Sequence, residues 1–249
     1  MKKRRTNDEA KALEARNARV YRLKISLAHT HPPLWRRLEV HAGTDMGSLA
    51  TAIGAVFGWS GDHMGEFDIK GRRIGDGTDW FLEDPNATER EFRRLRKLVR
   101  NPLGDEQKAH SALELLSSLT AKLREGSPQA EAAGEPDAPT LRELVPRVRT
   151  KFIYIYDFGD NWEHVMEVEK ILAAEAGVQY PRCTAGARAN PMEDCGGLWG
   201  YQELVEAAGN PKHERYADLQ EWGMEKWDPE QFSVEEADGK LAKVFQRKK

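Results

Sequence analysis

Asp157, Asp160 and His164 stand together in YDFGDNWEH (Tyr156 to His164), and Glu193, Asp194 and Cys195 stand together in a later glycine-rich run, PMEDCGGLWGY (Pro191 to Tyr201). Mixed imidazole and carboxylate ligands suit a divalent transition metal, with a further carboxylate behind the histidine to orient it. On that reading His63, His164, Asp160 and Glu193 are the ligand candidates. Cys195 would act as a nucleophile only with a base such as His164 beside it. The plain alternative gives the same residues structural work: an Asp at a tight turn caps backbone amides, Gly159 supplies an unusual φ, and a strand histidine sits half-buried and satisfied. No two of the candidates fit a recognised metal spacing. The expectation is therefore a polar pocket gathering His63, Asp157, Asp160, His164, Glu193, Asp194, Cys195 and Arg36, in which any cofactor would be a divalent metal ion.

The elements that must position these groups begin with Lys151 to Ile171, two alternating apolar runs around a turn, which reads as a β-hairpin. A loop of Phe158 to Asn161 would set Asp157 opposite Trp162 and Ile155 opposite His164. One face would then carry Ile153, Ile155, Met166 and Val168, with Asp157 and His164 roughly 7 Å apart at its turn end. Upstream, Val20 to Leu27 and Leu34 to Val40 alternate as strands, and Thr44 or Asp45 can cap a helix that ends before Gly58. His63 to Ile69 reads as a third strand. That order predicts an α+β fold with a β-grasp-like mixed sheet, the central hairpin and packed helices. Residues 1–19 read as a polar tail and 20–249 as one domain carrying an insertion over 72–139: a basic helix at Asn86 to Arg100, a helix with an apolar stripe from Ala109 to Leu123, and a linker-like Gly126 to Pro139. Further helices are expected at Thr140 to Val145, Gly200 to Ala208, Glu214 to Trp222 and Ser233 to Phe245, and Gly186 to Tyr201 as a closely turned surface loop.

Composition narrows the function. The 249 residues are 39% hydrophobic, enough for a real core, and the net charge of −3 gives no overall drive toward nucleic acid. Arg90, Arg93, Arg94, Arg96, Lys97 and Arg100 could meet phosphates, but a solvated helix face is the simpler account, so a protein partner is favoured over nucleic acid. No stretch approaches the ~20 apolar residues of a membrane span, and the start has charge but no apolar region, so a cytoplasmic protein is expected. Cys183 and Cys195 make neither a disulfide framework nor a zinc half-site. Gly196-Gly197 could cradle an anion at a helix start, yet the run matches neither a P-loop nor a dinucleotide fingerprint.

Five blocks, PPLWRR (Pro32 to Arg37), FGWSGDHMGEFDI (Phe57 to Ile69), YDFGDNWEH, PMEDCGGLWGY and EWGMEKWDPEQF (Glu221 to Phe232), give the chain its resemblance to the plasmid pRiA4b ORF-3-like family. The resemblance covers roughly 20–75 and 140–235. It implies an α+β domain on a mixed sheet, in a family found near plasmid and transposon genes and without an assigned activity. Many relatives resemble one another in carrying extra histidines on the first helix and in the third strand, where this chain has Ala50 and Gly65. The leading expectation is a non-enzymatic interaction or accessory module of a mobile element. The alternative is a metal-dependent or hydrolytic enzyme using the YDFGDNWEH turn and the EDCGG loop. Either way, the Glu193-Asp194-Cys195 loop is expected to pack against Gly159-Asp160, with His164, His63, Arg36 or a cation between the acids.

Overall fold

The computed structural model describes residues 18–75 and 139–246. Most of the polar tail, the two helices and nearly all of the linker expected within 72–139, and the basic cluster from Arg90 to Arg100 lie outside the described residues. Seven strands form one sheet in the order β4-β3-β5-β6-β1-β2-β7: β1 (Arg19–Leu27), β2 (Trp35–His41), β3 (Gly65–Ile69), β4 (Arg72–Gly75), β5 (Lys151–Tyr156), β6 (Trp162–Ala173) and β7 (Arg182–Ala187). The helices are α1 (Met46–Phe57), α2 (Leu141–Leu144), α3 (Gly197–Ala207), α4 (Tyr216–Glu221) and α5 (Val234–Val244). The α+β class holds, but the sheet is not mixed. All six strand pairings are antiparallel, so the β-grasp-like expectation keeps its strand-strand-helix-strand opening and loses its parallel pairing. Residues 72–75, expected to begin an insertion, instead form edge strand β4 against β3.

The two faces of the sheet differ in chemistry, as an antiparallel sheet with one solvated side allows. Tyr21, Leu23, Ile25 and Leu27 of β1 turn inward together with Arg36, Leu38 and Val40 of β2. They meet Leu49, Ile53, Val56 and Phe57 of α1, Tyr201 and Leu204 of α3, and Leu241 of α5 in one core. On the other face Arg22 and Arg182 grip the two oxygens of Glu39, and Arg37 holds Glu169 in a bidentate pair. Burial alone would push the Glu39 carboxyl up, but the hydrogen bonds from Arg22 and Arg182 outweigh it and hold it below the ordinary range.

Local sequence explains the helix ends. Asp45 caps α1 by accepting from the Ser48 amide at 2.8 Å, and Gly58 closes it in the left-handed conformation at φ 80°. The Glu143 carboxylate accepts from the Thr140 amide at 2.8 Å at the start of α2, and Ser233 accepts from the Glu236 amide at the start of α5. Helix α5 packs against β7 and α1, and its Asp238 accepts from the Cys183 amide at 2.9 Å, covering the sheet edge.

The hairpin register differs from expectation by one residue. Tyr156 faces Trp162 and Tyr154 faces His164, so the loop runs from Asp157 to Asn161. Asp157 and Asn161 both take positive φ, 54° and 53°, and the Asn161 amide closes the turn on the Asp157 carbonyl at 2.6 Å. The core face of β5 is thus Phe152, Tyr154 and Tyr156 rather than Ile153 and Ile155, because a one-residue slip exchanges the faces of a strand.

Candidate functional site

Three chain segments meet at the turn end of the hairpin. The first is the turn itself, the second is the connection from α1 to β3 carrying Trp59, Ser60 and His63, and the third is the loop that leads into α3. Beneath them lies an aromatic floor. Trp59 stacks on Tyr156 at 5.4 Å and on Trp162 at 5.3 Å, and His164 lies edge-on to Phe57 at 4.7 Å.

The acidic loop docks on the turn, as expected. A side chain at Gly197 would come within 2.6 Å of the Asp160 carbonyl oxygen, and one at Gly200 within 1.7 Å of that of Cys195. Only glycine permits this approach, and Gly196 and Gly197 also take positive φ. Their amides turn toward the Asp160 carboxylate, so the anion received at the start of α3 is internal. Glu193 ties the loop to the α1–β3 connection. It accepts from the Ser60 amide at 3.0 Å, from Ser60 Oγ at 3.1 Å and from the Tyr156 hydroxyl at 2.5 Å.

His63 is the group that sits among the acids. Its Nδ1 lies 3.7 Å from Asp157 Oδ2 and its Nε2 lies 3.3 Å from Asp194 Oδ1. Asp157 is 5% exposed, and its other oxygen accepts from the Gly159 amide at 2.8 Å. Burial pushes the Asp157 carboxyl up, against the pull of His63 and of the Gly159 and Asp160 amides. Burial, and then the charge of Asp157, push Asp160 up to about 6. Its Oδ2 is buried and has no hydrogen-bond partner. The acids are thus only partly compensated.

Three expected members of the pocket do other work. His164 is wholly enclosed: its Nε2 accepts from Trp59 Nε1 at 3.0 Å, which leaves the ring proton on Nδ1, facing the Tyr154 carbonyl at 3.3 Å. Burial lowers its pKa to about 4, so it is a neutral core group, neither ligand nor base at the surface. Arg36 is buried in a separate nest of carbonyls between β2, α1 and the segment after β7. Cys195 is buried, and desolvation followed by the Asp160 charge push its thiol up to about 12, which removes the thiolate that nucleophilic catalysis needs. Of the metal candidates drawn from sequence only His63 belongs to the set whose ligand atoms lie within 4.8 Å of one another; Asp157 and Asp194 complete it in place of His164, Asp160 and Glu193. The signal for Asp157 was its place at the mouth of the turn; the signal for Asp194 was weak, since its neighbour Glu193 has the same chemistry.

An antiparallel α+β domain with a glycine-closed acidic loop seated on a hairpin turn is thus the class of protein that the fold and site define. Residues 19–236 match the family model described as plasmid pRiA4b ORF-3-like protein, and the chain belongs to that family. It is similar to the protein described as uncharacterized protein y4hQ from Sinorhizobium fredii, 30% identical over 207 residues that make up 82% of this chain and 81% of that one. It is also similar to the crystal structure of a protein of unknown function, MM3350 from Methanosarcina mazei Go1. There the TM-score is 0.58 and the identity 29%, over 87% of this chain and 96% of that one. Among the described residues no helix is long and apolar enough to cross a membrane.

Proposed function

We propose that the chain is a non-enzymatic interaction module, a cytoplasmic accessory protein of a plasmid or transposon, and that it engages a protein partner where the acidic loop meets the hairpin turn. The observation that carries this reading is Trp199. It is 78% exposed, the most exposed large hydrophobic side chain among the described residues, and it stands on the first turn of α3 beside the docked loop. A tryptophan held on a rigid element with a polar rim is the residue type that dominates binding energy at protein interfaces. Three of the reactive groups nearby are engaged internally: His164 with Trp59, Glu193 with Ser60 and Tyr156, and the Cys195 thiol within the core. The family's plasmid description supports the mobile-element setting, and two unpaired, buried cysteines suit a reducing compartment.

A hydrolytic or metal-dependent enzyme is the second reading, supported by Asp160, whose carboxyl burial raises to about 6, close to the range a general acid or base needs. One pair of measurements separates the two. Affinity capture followed by cross-linking should yield a stoichiometric protein partner that Trp199→Ala loses while remaining folded. Turnover of phosphoester, peptide or ester substrates that Asp160→Asn abolishes, with capture indifferent to Trp199→Ala, would overturn the module reading.

A further inference from the structure

We propose that His63, Asp157 and Asp194 form a binding site for one divalent transition-metal ion of the zinc or manganese type. Two independent observations point there. The first is geometric: three ligand atoms of mixed nitrogen and oxygen type, delivered by three separate chain segments, lie within 4.8 Å of one another. The 3.3 Å between His63 Nε2 and Asp194 Oδ1 is close to the ~3.4 Å expected of two ligands ~2.1 Å from a tetrahedral ion. Asp194 is exposed, so its side chain has room to close on the ion with Asp157, and the outer side of the site stays open to further ligands.

The second observation is a buried polar atom without a partner. Asp160 Oδ2 is enclosed and accepts no hydrogen bond, although its carboxylate lies close enough to Asp157 and Asp194 to feel both charges. Buried polar atoms in folded proteins are nearly always partnered, and although the Gly196 and Gly197 amides face this carboxylate, its Oδ2 still lacks a donor beside two further acids. Among the described residues no Lys or Arg pairs with Asp157, Asp160 or Asp194. Among the described residues His63 is the ion-pair partner of Asp157 and Asp194, and it faces Asp157 at 3.7 Å, beyond hydrogen-bond reach. A divalent ion would add two positive charges beside the His63 imidazole, and it would lock the acidic loop to the turn through Asp194. With one histidine and two carboxylates the donor set is hard to borderline, which favours zinc, manganese or iron(II) over calcium on one side and copper(I) on the other. The site stands whether the junction recognises a partner or turns over a substrate.

The test uses the full chain, stripped with chelator and dialysed, titrated calorimetrically with ZnCl2 and separately with MnCl2. One saturable equivalent is expected for at least one ion, together with a higher melting temperature and, for a cobalt(II)-loaded sample, visible absorption of a nitrogen- and oxygen-ligated ion. Asp194→Asn changes an exposed side chain and should leave the metal-free melting temperature unaltered while weakening binding at least about tenfold, and His63→Gln should do the same to binding. His213→Gln, at a surface histidine near Glu206, is the control for adventitious binding and should change nothing. Absence of a saturable equivalent, or binding that survives both Asp194→Asn and His63→Gln, would overturn the proposal and leave His63 as a simple bridge between two acids.

Discussion

Arg36 carries five N–H donors, and the fold finds an acceptor for each: the carbonyls of Val56, Trp35, Ala187 and Arg188 and the side-chain oxygen of Asn190. Phe232 covers its flat face at 4.0 Å. Burial lowers its pKa to about 10, which leaves it charged at neutrality, and no carboxylate among the described residues pairs with it. Arg36→Met is expected to cost about 3 kcal/mol in urea unfolding, since it strands several buried carbonyls at once. Arg36→Lys should cost a similar amount, because one ammonium cannot reach acceptors on three segments. His164 makes a pH prediction. Its folded pKa, about 4, lies below the unfolded 6.5, so the unfolded chain takes up the proton first. Its contribution is fully present above pH 6.5 and is lost as pH falls toward 4, by about 3 kcal/mol. Asp160, raised to about 6, acts with the opposite sign between pH 4 and 6, so the wild-type curve alone mixes the two. The difference between wild type and His164→Gln isolates the histidine: unfolding free energy measured from pH 7 to 4 should fall less steeply in the variant. At this scale the sequence displayed the right residue types but not their depth. Nothing local distinguishes a histidine that faces a pocket from one sealed beneath Trp59, because its cover comes from a distant segment.

Among the elements, α3 depends on its glycines and α5 does not. Gly200→Ala would drive a methyl into the Cys195 carbonyl and should lift the loop from the turn, costing about 3 kcal/mol and speeding hydrogen exchange at the Gly196 to Gly200 amides. Gly239 lies inside α5 with open space around it and no positive φ, so Gly239→Ala should raise stability by about 0.5–1 kcal/mol in the same assay. Helix ends were legible in the chain, since Asp45, Gly58, Thr140 and Ser233 carry capping chemistry that acts over a single turn. The parity of β5 was not. In Phe152 to Tyr156 both alternating sets are apolar, and Ile155 is buried as well as Tyr154 and Tyr156, so no polar residue marks the outer face. Strand β7 was missed for a different reason. Arg182 to Ala187 is built mostly of small residues with little strand preference, and it is held by pairing with β2 rather than by its own pattern. Strand direction across the sheet is likewise a tertiary property, invisible to periodicity.

At the scale of the whole molecule, one end of the chain completes the other. Phe232 lies against Gly186, where an added methyl would fall 2.4 Å from its ring, and its ring roofs the guanidinium of Arg36 near the start of the sheet. Helix α5 follows at once and covers the β7 edge. Contacts of such long sequence separation form late and slow folding. During synthesis, then, Arg36 has left the exit tunnel long before its roof has been translated. A chain stalled after Asp228 is expected to remain sensitive to protease throughout the sheet and to be held by chaperones, whereas one extended past Phe245 and clear of the tunnel should become resistant in a single step, as pulse proteolysis of ribosome-bound chains would record. For a protein assembled this way, folding waits on the translation of Phe232 and of the helix that follows it.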